Sequence, residues 1–87
     1  MIKTVKKIGI KSDLYPIPIT IFEFLPIFQD KYQYLSGAFY GFDRYPQVAL
    51  YYSTEDGIIL TDNPIILEEG IPTFDELFKF YGYTLVD

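Results

Sequence analysis

Four carboxylates, Glu68, Glu69, Asp75 and Glu76, fall within nine consecutive residues. A group of that kind can hold a hard cation or present an acid and a base to one substrate. The rest of the chain gives such chemistry little support. Its 87 residues include no histidine and no cysteine, which removes Ser-His and Cys-His nucleophiles, ordinary zinc sites and disulfides. Ser12, Ser36 and Ser53 lack the surroundings of a nucleophile elbow, and no Asp-x-Asp-x-Asp-Gly calcium loop is present. Gly37 and Gly41, in the run SGAFYGFD, do not have the spacing of a phosphate-cradling loop and read instead as a strand with close backbone approach or a bulge. Asp75 and Glu76 suit the first turn of a helix, where negative charge offsets the helix dipole. Glu68 and Glu69 read as turn residues. The expectation is a non-catalytic protein with no metal and no cofactor.

Tyrosine offers a different chemistry. Tyr32, Tyr34, Tyr40, Tyr45, Tyr51 and Tyr52 crowd the middle of the chain, and phenol rings give rigid contact area at little cost in side-chain entropy. Apolar residues make up 49% of the sequence and aromatics 20%, a large load for one small globule. Some of it is expected at the surface, as a binding face or a homodimer interface. Charge is divided unevenly. Residues 1–44 carry six basic and four acidic side chains, and residues 45–87 one and eight, for a net charge of −5. An acidic half disfavours direct binding to nucleic acid, which needs clustered Lys or Arg, and suits a partner protein with a basic surface. Tyr40, Tyr45, Tyr51, Glu55, Asp56, Asp62, Glu68 and Glu69 are the candidate binding residues.

The elements that must position them centre on Val48 to Asp62. Glu55 and Asp56 fit the helical positions of a type I turn and Gly57 the left-handed position after it, so a three-residue loop with Thr54 facing Ile58 is expected. That register gathers Val48, Leu50, Tyr52, Ile58 and Leu60 on a core face and Ala49, Tyr51, Ser53, Ile59 and Thr61 on the other. A two-residue Asp56-Gly57 turn would mix apolar with polar side chains. Upstream, the alternation of Met1 to Lys11 predicts an edge strand with Ile2, Thr4, Ile8 and Ile10 on one side and lysines on the other. Pro16 and Pro18 mark a connector. Thr20 and Glu23 have the spacing of a capping box, and Ile21, Phe24, Leu25 and Phe28 follow at helical intervals, so a helix, kinked or restarted at Pro26, is predicted to about Tyr34. Downstream, Thr73 and Glu76 form a second capping box, Phe74, Leu77, Phe78 and Tyr81 line one helical face, and Gly82 stops the helix. Tyr83 to Val86 closes the chain as a strand.

These elements predict a single α+β domain spanning residues 1–87: a small antiparallel sheet centred on the 48–62 hairpin, with two short helices packed on one face. Its expected function is to bind another protein and occlude that protein's surface. The alternatives are a phage or mobile-element inhibitor whose carboxylates mimic nucleic-acid phosphates, a toxin-neutralising protein, a small-molecule or nucleotide binder with a tyrosine-lined pocket, and a structural subunit of an assembly. No apolar run reaches the length of a membrane span and no signal peptide is recognisable, so a cytoplasmic location is expected. An abundance of Ile, Tyr and Phe fits an AT-rich genome such as that of a virus or a thermophile, and for a viral protein the expected location is the host cytoplasm.

Overall fold

A computed structural model, which describes residues 2–40 and 46–86, is a curled six-stranded half-barrel sheet with one short helix. The strands are β1 (Thr4–Lys11), β2 (Ile19–Phe28), β3 (Tyr32–Tyr40), β4 (Gln47–Tyr52), β5 (Ile66–Glu69) and β6 (Thr84–Val86); helix α1 (Phe74–Phe80) connects β5 to β6. Sheet order is β5-β4-β3-β2-β1-β6. Neighbours are antiparallel except β6, which runs parallel to β1. The expected pair of helices on a small sheet is therefore incorrect: the sheet dominates, and the single helix has seven residues.

The segment expected to form the first helix is β2, the longest strand. From Ile19 to Phe24 every residue but Glu23 is Ile, Thr or Phe, types that fit a pleated backbone. Phe22 and Phe24 are buried on the side of α1, and Ile19 and Ile21 are buried on the other. A strand covered on both faces has no polar alternation, so its apolar run also satisfies helical spacing. Gln29 and Asp30, at φ 53° and 57°, then reverse the chain, and the Lys31 N–H donates to Phe28 O at 3.0 Å. That geometry is a tight turn with left-handed backbone at both central residues, in a three-residue loop between the paired Phe28 and Tyr32, not the continuation of a helical stripe. Pairing of β2 with β3 is interrupted between Glu23 and Phe28, around the cis Leu25-Pro26 peptide. Pro26 has no N–H to give a ladder, and the carbonyls of Pro26 and Ile27 accept from the Tyr83 hydroxyl at 3.0 and 3.4 Å.

β1 also differs from expectation. Register shifts between Lys7 and Gly9, Val5 is the one buried side chain of the strand, and Ile2, Ile8 and Ile10 are exposed. Nor is β1 an edge over its first half, because Thr4 to Lys6 pair with β6.

The core lies between the sheet and α1. Phe22, Phe24, Leu35, Val48, Leu50 and Ile66 meet Leu77 and Phe78 of the helix there, all of them essentially inaccessible to solvent. Phe78 stands edge-on to Phe22 at 4.7 Å between ring centroids and to Phe24 at 5.4 Å; Phe22 meets Phe74 at 4.8 Å, and Phe74 meets Phe39 at 4.7 Å. Such tilted contacts set the positive ring edge against the negative face. This network absorbs most of the aromatic load: among the described aromatic side chains only Tyr40 and Phe80 are exposed. The apolar surplus at the surface is aliphatic instead, with Leu25, Ile27, Leu60 and Leu67 among its members.

Helix α1 is short enough to be marginal alone and is held by its caps and its packing. Thr73 Oγ1 accepts from the Glu76 N–H at 3.2 Å, which is one half of the predicted capping box. Gly82, at φ 84°, ends the helix, with its own N–H on Lys79 O and the Tyr83 N–H on Phe78 O. Among the described residues no helix is long and apolar enough to cross a membrane.

A candidate binding groove on the face opposite the helix

Alternation along the two central strands gives each of them two functions. On β3, Leu35 is buried on the helix side while Ser36, Ala38 and Tyr40 project to the other face. The β3-β4 register there pairs Ser36 with Tyr51, Ala38 with Ala49 and Tyr40 with Gln47. The two alanine methyls leave the centre of this face low. Tyr40 and Tyr51 stand at diagonal corners of that floor, four residues apart along the strands, or roughly 13 Å at the rise of a β-strand.

Two loops raise the walls. The connector after β1 contributes Tyr15 and Ile17, and the chain after β4 contributes Ile59, Thr61 and Asp62. Together they enclose an open groove of about 640 Å³, within the size range of small-ligand and side-chain pockets. Tyr15 latches the walls together: its hydroxyl donates to Gly57 O at 3.2 Å and accepts from the Ile59 N–H at 3.0 Å. The hairpin tip folds down onto β1 and β2, so that a Cβ on Gly57 would lie 3.0 Å from Ile21 Cδ1 and 3.1 Å from Lys11 Cγ.

The loop at that tip has the expected form. Thr54 N–H donates to Ile58 O and Gly57 N–H to Thr54 O, both at 3.0 Å, with Gly57 at φ 86°. Its second arm does not form the expected strand. After the isolated Ser53–Ile59 bridge and a bond from Leu60 N–H to Tyr52 O, the chain leaves β4. The edge of β4 is taken instead by Ile65 N–H on Leu50 O and by β5. Ile58 and Leu60, assigned to the core from the hairpin pattern, are consequently 45% and 51% exposed.

Of the candidate binding residues, Tyr40, Tyr51 and Asp62 meet in the groove. Glu55 and Asp56 are exposed at the hairpin tip beside it, where Glu55 accepts from the Tyr34 hydroxyl at 3.3 Å. Glu68 and Glu69 lie in β5 rather than in a turn. Glu68 is opposite the buried Val48, on the helix face, and Glu69 is opposite Gln47. The acidic side chains therefore do not form one row. Tyr45 lies outside the described residues, as does Gly41. Tyr15, Ile59 and the Ala38–Ala49 floor were not among the candidate binding residues, although the hairpin pattern put Ala49 and Ile59 on the face away from the core. The available signal was a small residue flanked two places away by tyrosine on each strand, AFY and ALY, but it acquires meaning only when the strands are paired. Among the described residues no three of His, Cys, Asp and Glu come together as metal ligands.

Compared with family models, curated proteins and solved structures, the chain matches none. The groove must be interpreted from its own chemistry. Tyrosine faces are electron-rich, Asp62 contributes a carboxylate, and among the described residues no basic side chain lines the groove.

Beneath the floor, the Ser36 and Ser53 hydroxyls are 2.6 Å apart and both buried, and Ser53 Oγ donates to Thr54 O at 3.0 Å. With the Ser53 proton on Thr54 O, Ser36 is the donor in the short contact, the arrangement that satisfies both hydroxyls and the carbonyl. The two serines are therefore not equivalent. Ser53→Ala leaves a buried Ser36 O–H without its acceptor and should cost about 1–3 kcal/mol, whereas Ser36→Ala removes only one donor and should cost about 0.5–1.5 kcal/mol. Urea unfolding of the two variants checks the order, and equal losses would contradict this assignment of protons.

Glu68 has a structural part on the other face, accepting from the Tyr81 hydroxyl at 2.5 Å. Burial and that bond push the Tyr81 phenol well above its ordinary range. Burial, with Asp30 nearby, raises Tyr83 in the same direction. A phenol raised in the folded state holds its proton after the unfolded chain has lost it. Its stabilising contribution is then complete below about pH 10 and declines above it. The limiting slope is about 1.4 kcal/mol per pH unit for each phenol, less where the ring is partly solvated. Thermal midpoints should be flat from pH 7 to 9 and fall beyond pH 10. Tyr81→Phe should weaken that fall, and an unchanged profile in this variant would exclude Tyr81 as a source.

Proposed function

We propose that this chain is a non-catalytic binding domain that seats a basic segment of another protein in the groove and thereby covers part of that protein's surface. The observation that carries the reading is the groove's composition: three tyrosines and one carboxylate around a floor of alanines, with no cation among the described residues that line it. An excess of negative charge in the same half of the chain adds long-range attraction for a basic partner. Tyr15 holds the walls in place before a partner arrives, which lowers the ordering cost of binding.

A panel of blocked dodecapeptides, half rich in Lys and Arg and half in Asp and Glu, tests the reading by isothermal titration at low and moderate salt. Basic members should bind, more weakly as salt rises. Ala38→Phe, which fills the floor, should abolish that binding while leaving the protein folded by circular dichroism. Acidic peptides binding equally well, or full binding by a folded Ala38→Phe, would overturn it.

A further inference from the structure

The groove has an internal asymmetry that narrows its occupant. Its floor, made by Ala38 and Ala49, is apolar. One end of it holds polar and electron-rich groups together. Tyr51 follows Ala49 by two places on β4, and the loop carrying Thr61 and Asp62 leaves β4 between the Leu60 bond to Tyr52 and the Ile65 bond to Leu50. Asp62 is therefore held at the same level of the strand as Tyr51. A purely apolar side chain leaves Asp62 unmatched and a free ammonium ion leaves the methyl floor uncovered; a lysine covers the floor but brings a strongly hydrated point charge, not a plane, to the Tyr51 face. Among the described residues, Lys11 of β1 lies on this face opposite Ile19, and its stem packs against the hairpin tip at Gly57.

We infer that the anchor is a single arginine side chain of the partner, with its aliphatic stem over Ala38 and Ala49 and its guanidinium at Tyr51 and Asp62. Arginine combines the required properties: an apolar stem that covers methyl groups, a planar cation that stacks on a phenol face, and a fork of donors that fits a carboxylate. A second source of the same chemistry, a free guanidinium metabolite, lacks the flanking peptide that the open walls would meet. The inference rests on the groove being the binding site proposed above, and its test separates the two.

N-acetyl-arginine methylamide and its neutral isostere N-acetyl-citrulline methylamide are titrated into the whole protein, with the Ala38 and Ala49 methyl resonances and the Tyr51 ring as reporters. The arginine compound should bind about fivefold tighter than the citrulline compound, the worth of one exposed cation–π contact. Asp62 is an exposed side chain, so Asp62→Asn should fold normally and weaken arginine more than citrulline, narrowing the gap between them. Tyr51→Leu should weaken arginine more than citrulline. Free guanidinium chloride at matched concentration should shift these resonances less than the arginine compound, and an equal shift would refute the part assigned to the stem. Equal affinity for arginine and citrulline would refute the anchor while the groove still binds. Binding of a basic dodecapeptide without response to the arginine compound would refute the anchor and leave the partner reading standing. No response to any peptide or probe would overturn both.

Discussion

Replacing Gly37 with alanine should destabilise the protein by about 3 kcal/mol or more, a fall of roughly 12–24 °C in Tm for a domain of this size. A Cβ at this position would overlap the carbonyl oxygen of Ala49, lie 2.8 Å from the Ala49 carbonyl carbon and lie 2.9 Å from Leu50 Cα. All three atoms belong to the backbone of β4. A flexible side-chain tip could swing away, but a paired strand can yield only by breaking its ladder. The expected loss is steric, and two other glycines separate it from conformational effects. Gly9 has only Ile21 Cδ1 at 3.9 Å from an added Cβ, so Gly9→Ala should change stability by less than about 0.5 kcal/mol. Gly82 has open space but sits at φ 84°, so Gly82→Ala should cost about 1–2 kcal/mol through backbone strain alone. Thermal melts of the three variants should give the order Gly37, Gly82, Gly9. A Gly37→Ala protein as stable as Gly9→Ala would mean that the two central strands do not approach as described. Because Ala49 also floors the groove, whatever folded Gly37→Ala protein survives should bind basic peptides poorly.

The features that the sequence made legible are those decided within a few residues. Thr73 with Glu76 and Gly82 bound α1 because caps act locally, and Glu55, Asp56 and Gly57 specify their turn because left-handed backbone at the third position demands glycine. β2 was not legible in the same way. Burial on both faces erases the alternation that identifies a strand, and a Thr-x-x-Glu spacing arises readily in a run that never forms a helix. The partition of the hairpin succeeded at Ile59, which sides with Ala49 and Tyr51 in the groove, and failed at Ile58 and Leu60. Their fate depended on which segment takes the edge of β4, a competition won by β5 from several residues further on. The groove was half legible. Tyr40, Tyr51 and Asp62 stood out by type, but the alanine floor comes from register, and the Tyr15 latch joins residues 42 and 44 positions apart. Acidic residues adjacent in sequence were separated for the simplest reason: Glu68 and Glu69 occupy a strand, and neighbours in a strand face opposite ways.

Phe78→Ala should be the most damaging truncation in the core, costing about 3–5 kcal/mol. Its side chain is fully buried, and its ring meets Phe22 and Phe24 edge-on and Phe74 in a stacked arrangement at 6.1 Å. Phe24 in turn contacts Tyr83 at 5.2 Å, so the loss of one ring opens a space bordered by α1, β2 and the chain entering β6. Phe80, two residues along the same helix, is 68% exposed, and Phe80→Ala should change stability by less than about 0.5 kcal/mol. The contrast tests burial at constant chemistry and nearly constant helix position. A cycle with Phe22→Leu should show coupling of about 0.5–1.5 kcal/mol beyond the separate losses, as expected of an edge-to-face pair. Additive losses would reduce the aromatic network to independent volumes. The same variant bears on the groove. Leu35, Leu50 and Val48 hold β3 and β4 from the helix side, while Ser36, Ala38 and Ala49 form the base of the groove on the far side of the same two strands. Loosening the core should therefore lower the population of folded protein without altering what the folded fraction binds. Affinity for a basic peptide, corrected for that fraction, should match the parent in Phe78→Ala and fall in Ala38→Phe. If Phe78→Ala loses intrinsic affinity as well, the two faces of the sheet are mechanically coupled, and the groove depends on the helix for its shape.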